Sequence, residues 1–571
     1  MTLAKRLLSV GLAALLASSA VAVPSQGAPA AVPKGPSVMI AAAEPAAVDA
    51  GLKVLKAGGS AIDAAVAVQA VLGLIEPQSS GLGGGSFMVF YDAKTRQVTA
   101  YNGRETAPAG ATPEMFYGPD GRALPKGQAI IGGRSAGVPG AIAMLHLAQS
   151  QHGKLAWANL FGDAERMAAD GFAVPARMAA AASSRAPQAS QPDAVAYFTK
   201  PDGTKVKTGD IMKNPAYAET LRKIAAQGPK ALLEGPIAQA IVDKLHQSPM
   251  PGTMTLKDLA SYKPKATPAV CRPYRVYVVC VPPAPSGGPA VLEGLGILER
   301  TDIGAHRNDA QGWYLFSQAS RLMYADRDRY YGDPDFVDVP MEGLLEPAYL
   351  DSRAKLINPA TAGPPPQPGK PRGAGVRAPD RTKEPGGTTH FVIVDKDGNV
   401  LSMTTTVESI FGDGRMVGGF FLNNQLTDFS FEPKESDGAP AANAVAPGKR
   451  PRSSMAAAIV LDKQGRFVEA LGSPGGPSII AFNLKGLVGT LDWKLPMQEA
   501  ISLPNLIGAG TFYASEPAKY PPGVVDALAA KGVKLQGGAF GEGSGLQGIE
   551  VTPNGLRGGA DPRREGVAKG Y

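Results

Sequence analysis

The sequence predicts a mixed α/β fold in which helices pack on sheets. Three observations carry this. Helical apolar spacing runs through VDAGLKVLKAGGSAIDAAVAVQAVLGLIEP and again through WYLFSQASRLMYADRDRYYG. Period-two alternation marks GLGGGSFMVFYDAKTRQVTAYNGRE and the segment from residue 388 onward. The two kinds of block alternate along the chain.

Taken in order, Gly58 and Gly59 break the first helical block in two, and Ser60 is placed to cap the second helix. An Asp-Ala-Lys-Thr turn at 92–95 separates two strands. Residues 137–300 read as mostly helical with loops, and 312–331 as a helix. Residues 358–387, NPATAGPPPQPGKPRGAGVRAPDRTKEPGG, form a flexible or extended linker. FVIVD and NVLSMTTTV flank Lys396-Asp397-Gly398 as a hairpin. FVEALGSPGGPSII is a strand, a glycine turn and then a helix or strand. No internal repeat is visible.

Hydrophobic residues make up 44% and charged residues 19%, which fits a globular protein. The net charge of +7 is mild for 571 residues, and no basic run resembles a nucleic-acid patch. Lys5 and Arg6, the apolar run 7–17 and Ala20-Val21-Ala22 form an export signal over residues 1–22. No later run has the length of a membrane span, so a soluble mature chain, periplasmic or secreted, is expected from about Val23. Cys271 and Cys280 close the segment CRPYRVYVVC, which could be a hairpin turning near 273–275. A local disulfide and two buried thiols both remain open. Two cysteines and five scattered histidines show no metal-ligand spacing, and no cofactor is implied.

The chemistry concentrates at Thr388 and Thr389, which follow the linker. A threonine hydroxyl is a poor nucleophile without a base beside it. Cutting the chain just before Thr388 would supply the threonine's own α-amine as that base. The chain is then a precursor cleaved at Gly387–Thr388. A two-residue hairpin turn puts Thr389 across from Thr406, and a three-residue loop puts Thr388 there. Register decides the face, and the sequence leaves it open.

The block from Thr388 through LNNQLTDF, RPRSSM and GSPGG resembles the small subunit of γ-glutamyltransferases (glutathione hydrolases). GGSAIDAAVA, NGRETAPAGATPEMF and ADRDRYYGDPDFVDVP resemble the large subunit, and GGADPRREG also fits. The resemblance runs over residues 42–571. It implies an N-terminal-nucleophile hydrolase fold, a four-layer αββα sandwich formed by a large subunit, 23–387, and a small subunit, 388–571, as a heterodimer from one precursor. It implies Thr388 as cleavage residue and nucleophile, Thr406 as its hydrogen-bond partner, and Gly475 and Gly476 as oxyanion donors. Arg104, Ser453 and Ser454 would bind the donor's α-carboxylate. Asp428, Glu408 and Gln425 would bind its α-ammonium, with Asn424 in support. The donor would be glutathione or another γ-glutamyl compound, and the acceptor water, an amino acid or a dipeptide. Many relatives have Asn where this chain has Glu408. The lid-like segment ending ANAVAPGKRP has no aromatic residue in its middle.

Three rivals are weighed. A glutaryl-type β-lactam (cephalosporin) acylase shares the scaffold, but a glutaryl group lacks the ammonium that Asp428 and Glu408 would pair. GRSAG around Ser135 matches a serine-hydrolase elbow, without an identifiable acid–histidine pair. A non-catalytic exported binding protein would remain one chain.

Overall fold

Alternation along the strands sorts the apolar side chains into three layers. Phe391 and Ile393 of the strand Thr388–Val394 join a core with the helices Pro45–Lys56, Ala61–Ile75 and Ala141–His152. Val392 and Val394 of the same strand join Ile459 and Leu461 of Ala458–Asp462 in a layer between two sheets. Ala458 and Val460 turn the other way, into a core with Gly288–Glu299, Ala310–Tyr330 and Ile479–Leu487. The result is helices, sheet, sheet, helices, the expected αββα sandwich. Strands covered on both faces are buried at every position, as Thr388–Val394 and Val400–Thr406 are.

The computed structural model describes residues 35–380, 382, 384, 386–434, 438–538 and 543–571. The export signal expected at 1–22 lies outside the described residues. The first sheet has seven antiparallel strands in the order Val567–Gly570, Met39–Ala42, Thr388–Val394, Val400–Thr406, Gly85–Asp92, Gln97–Asn102, Lys265–Pro268. The second has six, in the order Gly555–Ala560, Gln547–Thr552, Phe467–Gly472, Ala458–Asp462, Tyr277–Val281, Val270–Tyr274. Among the described residues no helix is long and apolar enough to cross a membrane.

The mostly helical reading of 137–300 holds except over 265–281, where three strands precede the helix Gly288–Glu299. Lys265–Pro268 is an exposed edge strand with no apolar alternation to announce it. The cysteine segment is a hairpin of the second sheet that turns beyond Tyr274. Cys271 and Cys280 are a registered pair and form a disulfide. The glycine turn at 475–476 leads into a helix, Ile479–Leu487. Residues 358–380 run without helix or strand, as a linker would. They are pinned nonetheless: Tyr314, Arg321 and Tyr330 of the long helix donate to the carbonyls of Asn358, Gly363, Pro364 and Gly369.

Two aspartates set the first sheet against its helices. Ser60 and Asp63 form a capping box at the start of Ala61–Ile75. Asp395 does more. Its Oδ1 accepts from the N–H groups of Asp397 and Asn399, and its Oδ2 from the N–H of Ala61, all at 3.0 Å. The loop Lys396-Asp397-Gly398 is therefore a three-residue turn, with Gly398 at φ +80°. That turn places Thr388 opposite Thr406. Asp395→Ala strips a nearly buried carboxylate from these amides. Stability should fall by about 3 kcal/mol or more, read as a lower urea midpoint of the full-length chain.

Candidate functional site

The hairpin brings two hydroxyls to one point. The Thr388 hydroxyl donates to Thr406 Oγ1 at 3.2 Å, and the Thr406 hydroxyl donates to the Gly387 carbonyl at 2.6 Å. The Glu408 N–H donates to the same Thr406 oxygen at 2.8 Å. A β-carbon on Gly387 would lie 2.7 Å from the Glu408 carbonyl oxygen, so glycine is required there. Arg564 holds the Thr388 carbonyl through Nη1 at 3.0 Å. Its other donors go to the carbonyls of Ser544 and Gly543. Thr388 is 4% exposed.

Thr388 and Thr406 line a small cleft together with Arg104, Glu408, Gln425, Asp428, Ser453, Ser454 and Gly476. Asn424 stands behind the cleft. Its Oδ1 accepts from the Ser409 N–H and its Nδ2 donates to Glu408 Oε2 at 2.5 Å. Gly475 and Gly476 follow the strand Phe467–Gly472 with φ of +135° and +57°, which a β-carbon would oppose.

One end of the cleft is rich in acceptors. Asp428 Oδ2 accepts from Arg104 Nη2 at 2.6 Å and from Gln425 Nε2 at 2.7 Å. Asp428 Oδ1, Gln425 Oε1 and Glu408 Oε1 are buried and have no hydrogen-bond partner. Lys126 Nζ stands 3.8 Å from Glu408 Oε1, beyond hydrogen-bond reach, and donates to the Thr427 carbonyl. Burial, with Asp428 adding repulsion, holds the Glu408 carboxyl well above the usual carboxylate range. Glu408 also sits at φ +81°, a strained backbone for a residue with a side chain.

The other end is rich in donors. Arg104 gives Nε to the Pro451 carbonyl and Nη2 to the Arg452 carbonyl as well as to Asp428. A two-pronged grip on a ligand carboxylate therefore requires one of these bonds to yield. Ser453 Oγ accepts from the Met455 N–H. Ser454 Oγ donates to Glu384 Oε2 at 2.5 Å and accepts from Arg327 Nη2 at 2.6 Å.

Sequence reasoning assigned no role to Arg327, Arg452, Arg564, Lys126 or Glu384. The first three lie inside quoted motifs, ADRDRYYGD, RPRSSM and GGADPRREG, and only folding shows what they touch. Glu384 lay in a segment read as tether. The serine elbow is not built. Ser135 sits in a 3-10 turn after a helix, and its hydroxyl donates to the carbonyls of Ile130 and Gly132.

The family model described as Gamma-glutamyltranspeptidase matches residues 47–571. The chain is 36% identical over 557 residues to the glutathione hydrolase proenzyme of Bacillus subtilis strain 168, covering 94% of this chain and 92% of that protein. The cephalosporin acylase from Bacillus halodurans matches with a TM-score of 0.82 at 27% identity, over 98% of this chain and 99% of that one. Helicobacter pylori γ-glutamyltranspeptidase matches with a TM-score of 0.55 at 32% identity, over 60% of this chain and 96% of that one.

Thr406→Val keeps the branched shape of the side chain and deletes its oxygen. The Glu408 N–H is then left without its acceptor. The full-length chain should lose about 1–3 kcal/mol of unfolding free energy, measured by urea titration.

Proposed function

The chain belongs to the gamma-glutamyltranspeptidase family, and from that premise we propose that it cuts itself at Gly387–Thr388 and then uses Thr388 to take the γ-glutamyl group from glutathione or a similar amide. It is an enzyme built on the N-terminal-nucleophile fold. The observation that carries the donor assignment is the set of three unpartnered oxygens on Asp428, Gln425 and Glu408 beside the Thr388 hydroxyl. An ammonium offers three N–H donors and a positive charge, which suits that set.

The hydrogen-bond chain from Thr388 through Thr406 to Gly387 supports self-cleavage. Thr388 Oγ attacks the Gly387 carbonyl carbon. Its proton passes to Thr406 as the Thr406 proton passes to the Gly387 oxygen. The tetrahedral centre collapses when its hydroxyl proton moves to the amide nitrogen and the C–N bond breaks, leaving an ester. That break frees the Thr388 amine, and water then hydrolyses the ester, giving a carboxylate on Gly387 and restoring the Thr388 hydroxyl. The products are a large subunit, 23–387, and a small subunit, 388–571.

The freed α-amine, with an ordinary pKa of about 8, serves as the base in turnover. It accepts the Thr388 hydroxyl proton as Oγ attacks the donor's γ-carbonyl, and returns it to the departing amine. Gly475 and Gly476 N–H groups face the oxyanion. Arg104, Ser453 and Ser454 hold the donor's α-carboxylate. Water or an acceptor amine then releases the glutamyl group from Thr388. Residues 1–22 direct export, and the enzyme works in the periplasm or outside the cell.

The acylase reading draws on the fold likeness to the Bacillus halodurans enzyme. It leaves the acceptor-rich end facing a methylene chain, at a cost that γ-glutamyl donors avoid. A γ-glutamyl anilide should be cleaved much faster than a glutaryl anilide, and a clear preference for glutaryl would overturn the choice.

Thr388→Ala should give one intact, inactive chain on a gel, where the parent splits near residue 387. N-terminal sequencing of the smaller fragment should start at Thr388. Splitting and turnover by the variant would end the mechanism, and an unsplit parent would favour a binding protein.

Glu408 also predicts a pH profile. Burial and the neighbouring Asp428 make Glu408 harder to ionise in the free site than an ordinary carboxyl group. A bound ammonium favours the anion, so donor binding draws a proton off Glu408 and tightens as pH rises through the titration of that carboxyl, above the ordinary carboxylate range. The donor KM should fall over that range. Glu408→Gln should flatten that fall.

A further inference from the structure

Glu384 stands between two cavities. One is the cleft at Thr388; the other is lined by Arg327, Arg452, Tyr324, Pro477, Ile507 and Phe512. Three buried donors converge on the Glu384 carboxylate. Arg327 Nη2 lies 2.6 Å from Oε1, Arg452 Nη2 3.2 Å from Oε1, and Ser454 Oγ 2.5 Å from Oε2. Arg327 is 2% exposed and Arg452 1%. Asp328 lies against both guanidiniums, and Asp380 also lies against Arg452. Arg327 Nε and Arg452 Nε have no acceptor at all. Burial would raise the Glu384 pKa, but the two guanidiniums and Ser454 hold it below the usual carboxylate range, so the anion is the bound form.

Glu384 is three residues from the Gly387–Thr388 bond. Cleavage makes it part of a free chain end. Ser454 is then free for the donor's α-carboxylate, while two buried guanidiniums that lose their carboxylate call for another. We propose that Arg327 and Arg452 form a carboxylate subsite for the amine partner of the reaction, the leaving amine of the donor or the incoming acceptor. In the precursor Glu384 fills it. Arg327 and Arg452 line the second cavity and not the cleft at Thr388, and Glu384 borders both. Tyr324, Pro477, Ile507 and Phe512 beside the subsite suit an apolar side chain. The ligand class is therefore an amino acid or short peptide with a free carboxylate and an apolar residue. This rests on the self-cleavage proposed above.

The test uses the processed enzyme and a γ-glutamyl anilide donor, whose leaving group has no carboxylate. Two acceptors are compared, glycyl-phenylalanine and glycyl-phenylalaninamide. Their nucleophilic amines are alike and only the terminal carboxylate differs. The parent should transfer to the acid with a kcat/KM about ten- to hundredfold above the amide, the worth of charge-assisted hydrogen bonds. Arg452→Leu should shrink that ratio to within about threefold. Arg452→Lys, which keeps the charge and loses the fork, should fall between. Equal use of both acceptors by the parent sinks the subsite, and so does an undiminished ratio in Arg452→Leu. If Arg452→Leu does not fold, the parent ratio and Arg452→Lys decide, and an undiminished ratio in the lysine variant sinks it. A parent that neither splits nor releases anilide defeats the underlying reading instead. A parent that splits and hydrolyses but ignores the carboxylate defeats only the subsite.

Discussion

The register of one antiparallel hairpin controls the site. Side chains alternate faces along a strand, so a slip of one residue would bring Thr389 rather than Thr388 opposite Thr406. Asp395 prevents the slip by holding both sides of the turn and the first amide of Ala61–Ile75 at once. A helix on one face of the sheet thus fixes the pairing that aligns the Thr388 hydroxyl, the Thr406 hydroxyl and the Gly387 carbonyl.

The cleft built on that pairing is polarised. Its acceptor-rich end collects Glu408, Gln425 and Asp428, and its donor-rich end collects Arg104 and Ser454, with Arg327 and Arg452 behind. Buried groups of this kind are costly unless partnered. At the donor-rich end the chain supplies its own partner, Glu384, from the segment before Thr388. At the acceptor-rich end one oxygen each of Asp428, Glu408 and Gln425 is left without one. Asp428, Glu408 and Gln425 with Arg104 beside them complement the ammonium and carboxylate of one amino acid, and Arg327 and Arg452 are a further pair that the precursor itself neutralises.

Much of the architecture was legible. Ser60 as a cap, the two helices around Gly58-Gly59, the 312–331 helix and the hairpin at Lys396-Asp397-Gly398 all follow from local chemistry that survives folding. The edge strand Lys265–Pro268 was not legible, because a solvent-facing edge needs no apolar alternation. The disulfide was half legible. CRPYRVYVVC suggested a hairpin, but only the register that sets Cys271 against Cys280 allows the bond.

By itself the sequence determined which residues could carry chemistry: Thr388 after its glycine, the acidic and amide groups of LNNQLTDF, the paired glycines of GSPGG and the arginine of NGRETAP. These are motifs, and their meaning lies in side-chain type and short spacing. The tertiary structure decided which hydroxyl Thr388 faces, that Arg104 is already bound to Asp428, and that Glu384 meets Arg327 and Arg452. Those contacts join residues from 18 to 324 positions apart. Distances across that much chain are set by sheet register and layer packing, which no local pattern encodes.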